Sequence, residues 1–125
     1  MAVLSPFIVA LGSNYRQQQH LNKAKAALRN VFGNMRFTSE IWTEPIGMVS
    51  DMFLNCLGYA HTDLPLQELN TLLKAIENEC GNSHELRCQN VVCLDIDVLW
   101  HGGKKFHEAD WQRDYIKQLL TEIEK

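Results

Sequence analysis

Asp95 and Asp97 lie two residues apart inside an apolar run, Val91-Val92-Cys93-Leu94-Asp95-Ile96-Asp97-Val98-Leu99-Trp100. The run reads as a largely buried strand, where a carboxylate is unfavourable unless something compensates its charge. Residues i and i+2 of a strand point to the same face, with Cα atoms roughly 6.5–7 Å apart. Two carboxylates placed this way can hold one divalent cation, or two that share phosphate oxygens of a substrate. The alternative is a sheet edge at which both aspartates simply face water.

Other residues able to do chemistry gather around this strand in the sequence. Leu11-Gly12-Ser13-Asn14 reads as a sharp turn after a first strand, and Thr43-Glu44-Pro45-Ile46-Gly47 as a stiff loop whose backbone groups could read a flat heterocycle. Phe53-Leu54-Asn55 puts an aromatic ring and a carboxamide on one strand face. His107 and Arg113 lie just beyond the aspartate strand. Each also has a purely structural reading: Asn55 satisfying a neighbouring backbone group, Phe53 as core, His107 as a surface residue near a helix start, Arg113 as a solvated helix charge. There is no phosphate-binding glycine loop ending in Lys-Ser or Lys-Thr, no G-x-G-x-x-G, no G-x-S-x-G and no C-x-x-C. A nucleotide enzyme built on this chain must hold phosphates with metal and cationic side chains.

The elements that position these residues follow from periodicity. Phe7–Leu11 reads as a buried strand. From Gln17 the period changes, with Leu21, Ala24, Leu28 and Val31-Phe32 on one helical face and Gly33 where a C-terminal cap belongs. A second strand runs from Phe37 to Trp42 and stops near Glu44-Pro45, and a third runs from Met52 to His61. Asp63 and Pro65 are placed to cap and open a helix with the stripe Leu66, Leu69, Leu72-Leu73, Ile76 and Cys80, closed by Gly81. The aspartate strand follows, and then a helix from about Glu108 carrying Trp111, Tyr115, Ile116, Leu119-Leu120 and Ile123. The order β-α-β-β-α-β predicts an α+β, ferredoxin-like antiparallel sheet with two helices on one face, and the extra C-terminal helix covers the other.

The 125 residues are expected to form a single domain, 1–125, with a proper core. A formal net charge of −3 argues against a general nucleic-acid binder. No run of about 18 apolar residues is present to span a membrane, and Met1-Ala2-Val3-Leu4-Ser5-Pro6 does not read as a signal peptide. Cys56, Cys80, Cys88 and Cys93 are then expected to be reduced thiols in the cytoplasm. Cys80, His84, Cys88 and Cys93 are chemically suited to Zn²⁺, but their spacing fits no usual zinc knuckle.

The motifs together resemble those of the 6-hydroxymethyl-7,8-dihydropterin pyrophosphokinases of folate biosynthesis. The landmarks are Ala10-Leu11-Gly12-Ser13-Asn14, Thr43-Glu44-Pro45-Ile46-Gly47, Phe53-Leu54-Asn55-Cys56, Ile76-Glu77, Leu94-Asp95-Ile96-Asp97-Val98-Leu99, and the late His107-x5-Arg113 with Tyr115 beyond it. The resemblance runs from Phe7 to about Ile123. It implies ATP-dependent transfer of pyrophosphate to the hydroxymethyl oxygen of the pterin, with Mg²⁺ on Asp95 and Asp97 and with His107 and Arg113 beside them as catalytic residues. It further implies that Asn55 hydrogen-bonds the pterin, that Phe53 and Tyr115 sandwich it, and that Thr43, Glu44 and Ile46 read its edge. Glu77, Arg87, Val98, His107 and Arg113 fall on the nucleotide side. The implied partners are pterin and ATP, and the sequence leaves the oligomeric state open.

The chain departs from the family in the stretch from Gly81 to Leu94. In the family this loop is rich in arginine and carries a tryptophan. Here Arg87 is its one permanent cation, with Asn82 and Val92 where arginines are expected and Gln89 in place of the tryptophan. Glu44 stands where a proline is common, and the link from Trp100 to His107 is short. A shortened, divergent member is implied, either an active transferase or a non-catalytic pterin- or purine-binding relative that has lost the loop closing over ATP.

Overall fold

The computed structural model describes residues 3–123. Its elements run β1 (Ser5–Ser13), α1 (Gln17–Val31), β2 (Arg36–Phe37), β3 (Ile41–Thr43), β4 (Phe53–Thr62), α2 (Leu66–Glu79), α3 (His84–Cys88), β5 (Asp95–His101), β6 (Lys104–Lys105), α4 (Glu108–Trp111) and α5 (Asp114–Ile123). The strands form one antiparallel sheet in the order β2-β4-β1-β5-β6, with β3 also pairing to β4. Taking β2 and β3 as one interrupted strand, this is the ferredoxin-like order expected from the sequence.

Period-2 alternation along the strands divides the core into two layers. Phe7, Val9 and Leu11 of β1, Leu54, Cys56 and Ala60 of β4, and Ile96 and Val98 of β5 face α1 and α2, where Leu21, Ala24, Leu28, Leu69, Leu73 and Ile76 meet them. On the opposite face Leu57 and Leu99 pack with Ile116 and Leu119 of α5, joined by Ile8, Ala10 and Ile41. The terminal helix therefore covers only part of the second face. It packs on Leu57 of β4 and Leu99 of β5 and leaves the Asp95 and Asp97 side chains partly exposed.

Several boundaries differ from the sequence reading. β1 runs on through Gly12 and Ser13, because both keep pairing with β4 where a turn was expected. The second strand is broken at Thr38–Glu40: the Leu57 N–H donates to Thr38 Oγ1 at 2.9 Å, and Ser39 donates through its N–H and hydroxyl to the Glu122 carboxylate of α5. A side chain that takes a ladder hydrogen bond interrupts the backbone pairing. α2 starts at Leu66 with Pro65 extended at its cap position and without a side-chain cap, so Asp63 does not cap it. The aspartate strand starts at Asp95, and Val92, Cys93 and Leu94 are buried in the approach to it. The short link after Trp100 is a hairpin turned by Gly102-Gly103, both at positive φ, and the last helix is split around Gln112-Arg113.

Gly58 is where β4 passes under Met35 and Phe37: a Cβ there would come within 2.7 Å of Met35 Cε and 2.9 Å of Phe37 Cε1. Gly58→Ala is expected to destabilise the fold by about 1–3 kcal/mol through overpacking, read as a lower urea midpoint with unchanged slope. All four cysteines are free thiols, and Cys88 is exposed while Cys56, Cys80 and Cys93 are buried. Burial pushes the Cys56 thiol up to about 12. In Ellman titration of the native protein, one thiol is expected to react quickly, Cys88→Ser to remove it, and the other three to react only as the chain unfolds.

Candidate active site

Three strands bring the chemistry together. Gly12 of β1 pairs with Asn55 of β4 on one side and with Asp95 of β5 on the other, and two residues along, Ala10 pairs with Leu57 and Asp97. Small residues at 10 and 12 make a low floor between the carboxamide and the acids. The resulting hollow of about 200 Å³ is lined by Thr43, Glu44, Ile46 and Met48 from the β3–β4 loop, by Phe53 and Asn55 of β4, and by Asp95 and Asp97 of β5. Asp110 of α4, Arg113 of the link between the two helices and Tyr115 of α5 close it. A Cβ on Gly12 would stand 3.0 Å from Asn55 Oδ1 and 3.6 Å from Phe53 Cδ2, so any side chain there would fill the space.

The Asn55 carboxamide is oriented by its surroundings. Its Nδ2 donates to Thr43 Oγ1 at 2.8 Å and to the carbonyls of Ile41 and Phe53, each at 3.3 Å. Oδ1 accepts no hydrogen bond among the described residues and lies over Gly12. Asn55 thus satisfies backbone groups, as its structural reading requires, and still offers an acceptor to whatever enters. A flat ring bearing an N–H donor suits a slot of this kind, with aromatic and apolar walls and one convergent polar group.

The acid side is charged and partly screened. Arg87 Nη2 donates to Asp95 Oδ1 at 2.6 Å, and His107 Nε2 is 3.9 Å from Asp97 Oδ1. Burial holds the Asp97 carboxyl above its ordinary value; His107 opposes this, and Asp95 and Asp110 reinforce it. Arg113 Nε is tied to Asp110 Oδ1 at 2.9 Å. Burial, then the charge of Asp110, likewise raises the Tyr115 hydroxyl.

Four residues singled out in the sequence, Glu77, Arg87, Val98 and His107, are not among those that line the hollow. Glu77 of α2 accepts the Ile96 N–H at 2.7 Å, and burial raises its carboxyl despite that bond. With Arg87 it lines a second hollow of about 260 Å³ shared with Lys74, Asn78, Asn82, Ser83 and His84. Val98 is 4% exposed, and its side chain belongs to the helix-facing core. Cys88 Sγ is 3.5 Å from His84 Nε2, but Cys80 and Cys93 are buried, and no three His, Cys, Asp or Glu side chains group as a metal cage among the described residues.

The divergent segment is fastened at both ends by carboxamides. Asn14 Oδ1 accepts the Val92 N–H at 2.6 Å, and Asn14 Nδ2 donates to the Asn90 carbonyl at 2.8 Å. Asn82 Oδ1 accepts the N–H groups of Cys93 and Leu94, and its Nδ2 donates to the Leu94 carbonyl. Asn82 and Val92, at places where arginines were expected, therefore hold the approach to β5 and fill the core. Sequence reasoning missed Ala10, Gly12, Met48 and Asp110 as parts of the site. The register across β1 identifies the first two, whereas nothing local in the sequence marks Met48 or Asp110.

The donor set fits magnesium. It consists of two carboxylates on one strand face, both with partly exposed side chains, beside a cavity open to substrate oxygens. Mg²⁺ is commonly held by one or two carboxylates plus phosphate and water, which does not require a closed protein cage.

Comparison with known proteins gives a consistent result. A folate synthesis bifunctional protein from Pisum sativum, described as mitochondrial, is 30% identical over 93% of this chain, which spans 24% of that protein. A 2-amino-4-hydroxy-6-hydroxymethyldihydropteridine pyrophosphokinase from Porphyromonas gingivalis is 27% identical over 92% of this chain and 88% of its own length. A folate synthesis bifunctional protein from Arabidopsis thaliana, also described as mitochondrial, is 27% identical, and the chain spans 23% of it. The chain therefore covers about a quarter of the plant proteins and most of the bacterial one. Residues 8–125 match the family described as 7,8-dihydro-6-hydroxymethylpterin-pyrophosphokinase (HPPK), and on that match over nearly its whole length the chain belongs to this family.

Proposed function

We propose that the chain transfers pyrophosphate from ATP to 6-hydroxymethyl-7,8-dihydropterin, in folate biosynthesis, with magnesium held at Asp95 and Asp97. The observation that carries this reading is the row Asn55–Gly12–Asp95 across β4, β1 and β5, which sets a carboxamide beside an acidic pair with no side chain between. In the reaction, the hydroxymethyl oxygen bonds to the β-phosphorus of ATP, the bond from that phosphorus to the α-phosphate bridging oxygen breaks, and AMP leaves. Such a transfer needs alignment and charge neutralisation more than a protein nucleophile.

Each residue then has a physical task. Asn55 Oδ1 accepts from the pterin, Phe53 and Tyr115 cover its faces, and Thr43, Glu44 and Ile46 border its edge. Thr43 also keeps the carboxamide the right way round. Asp95 and Asp97 hold the cation, whose charge offsets that of the phosphate oxygens. His107 and Arg113 stand beside the acids, where positive charge stabilises the transferring group, and Arg87 and Glu77 border the nucleotide side with the Val98 backbone. A reducing compartment such as the cytoplasm belongs to the same proposal. No helix among the described residues is long and apolar enough to cross a membrane.

One observation favours the alternative of a non-catalytic pterin- or purine-binding relative: the sole arginine of the divergent loop is already bonded to Asp95. Release of AMP from ATP that requires both Mg²⁺ and the dihydropterin distinguishes the two. Its absence from folded, pterin-binding protein would leave the binding reading alone.

Two predictions separate the halves of the site. Asn55→Ala is expected to weaken pterin binding about tenfold by calorimetry, from loss of one buried acceptor, while leaving Mg²⁺-dependent binding of an ATP analogue unchanged. Asp97→Asn is expected to lower turnover roughly 10²- to 10³-fold, in line with loss of one charge-stabilising group. It should nevertheless stabilise the metal-free protein. A raised carboxyl means that the folded chain holds the Asp97 proton more tightly than the unfolded one, so stability falls as pH rises above the ordinary aspartate range. The asparagine removes that loss at neutral pH, and solvent screening limits the gain to under about 1 kcal/mol. AMP release reads the loss of turnover, and thermal melts with and without Mg²⁺ read the stability: a higher midpoint without metal, and no further rise with it.

A further inference from the structure

Among the described residues, Arg87 is the only charged partner within bonding distance of Asp95, at 2.6 Å, and it occupies an oxygen that a divalent cation would need. Both side chains are open to water, at 45% for Arg87 and 37% for Asp95, so the pair can exchange partners without disturbing the core. The helix that carries Arg87, α3, has no buried residue. Its fixed points are at its flanks, at Ser83, whose Oγ accepts the Leu86 N–H, and at the Asn82 and Asn14 anchors. The guanidinium also borders the hollow lined by Lys74, Glu77, Asn82, Ser83 and His84, where an anion would meet two permanent cations and several polar groups, with the Glu77 carboxylate engaged by the Ile96 N–H. Arg87 therefore stands between two places that both suit it: the carboxylate it now holds and a space fit for polyphosphate.

We propose that Arg87 is an exchangeable counter-ion that pairs with Asp95 in the free protein and gives it up to a divalent cation when polyphosphate draws the guanidinium away. This rests on the proposed function and adds to it a coupling between the two ligands. Cation alone must compete with Arg87 for Asp95. Polyphosphate alone must detach Arg87 and leave Asp95 uncompensated beside Asp97 and Glu77. Bound together, each removes the obstacle to the other, and thermodynamic linkage makes the effect reciprocal. The loop's single arginine thereby acts both as a guard of the acidic pair and as a phosphate contact.

The test measures Mn²⁺ binding by electron paramagnetic resonance, with and without α,β-methylene-ATP, in wild type and in Arg87→Gln, Lys74→Gln and Asp95→Asn. Arg87→Gln is expected to bind Mn²⁺ alone roughly three- to tenfold more tightly, the scale of an exposed ion pair plus one nearby charge. It should also bind the analogue more weakly and lose most of the mutual enhancement between the two. Lys74→Gln, which removes a neighbouring cation that touches neither aspartate, should leave the affinity for Mn²⁺ alone within twofold of wild type. Asp95→Asn combined with Arg87→Gln should abolish the gain. If Arg87→Gln leaves Mn²⁺ affinity unchanged or weaker, while wild type binds Mn²⁺ with the analogue through Asp95, the exchange is wrong and the proposed function stands. An equal gain from Lys74→Gln would also overturn it, since a general field would then account for the effect. Absence of Mn²⁺ binding in every variant, with and without analogue, would overturn both.

Discussion

The pairing of β1 between β4 and β5 is the constraint on which the rest of this structure depends. β1 has a full neighbour on each side, and its register places Gly12 level with Asn55 and Asp95, and Ala10 level with Asp97. A slip of one residue would turn Phe7, Val9 and Leu11 out of the helix-facing core, so the same burial that stabilises the sheet also fixes the register. The alignment of Asn55 with the acidic pair is therefore enforced by the hydrophobic layer on the opposite face. Neither group has to contribute to stability itself.

The acids indeed work against the fold. Asp97 and Glu77 are both partly desolvated, and each has its carboxyl raised, with the other nearby acids adding to the effect. Glu77 recovers something by accepting the Ile96 N–H at the outer edge of β5, a bond the short β6 strand does not reach. Arg87 and His107 supply the remaining compensation. A cluster of this kind is tolerated because the two apolar layers provide enough burial to offset it, and a site that gathers like charges is suited to recruiting a cation.

Much of this was legible in the sequence, for reasons that can be traced to particular residues. The two-residue spacing of Asp95 and Asp97 in an apolar strand, and the alternation through Phe53, Asn55 and Leu57, gave the shared face directly. The helical stripes of α1 and α2 and the apolar positions of α5 gave the layers. What stayed hidden was non-local. The break at Thr38–Glu40 depends on Leu57 and on Glu122 of a distant helix. Gly12 looks like a turn residue until its partners on two neighbouring strands are known. Asp110 enters the site only because the last helix divides around Arg113. The ionic contacts of Arg87 and His107 likewise depend on where short, exposed elements settle.

The two asparagine clasps at Asn14 and Asn82 carry a consequence for tolerance to substitution. Between them they hold the backbone into and out of the segment that precedes β5 through amide groups. The intervening solvent-facing helix, α3, contributes no side chain to the interior. Substitutions of its exposed residues are consequently expected to change stability only a little. That stretch can therefore vary in charge while the two clasps keep the backbone that leads into β5 in place.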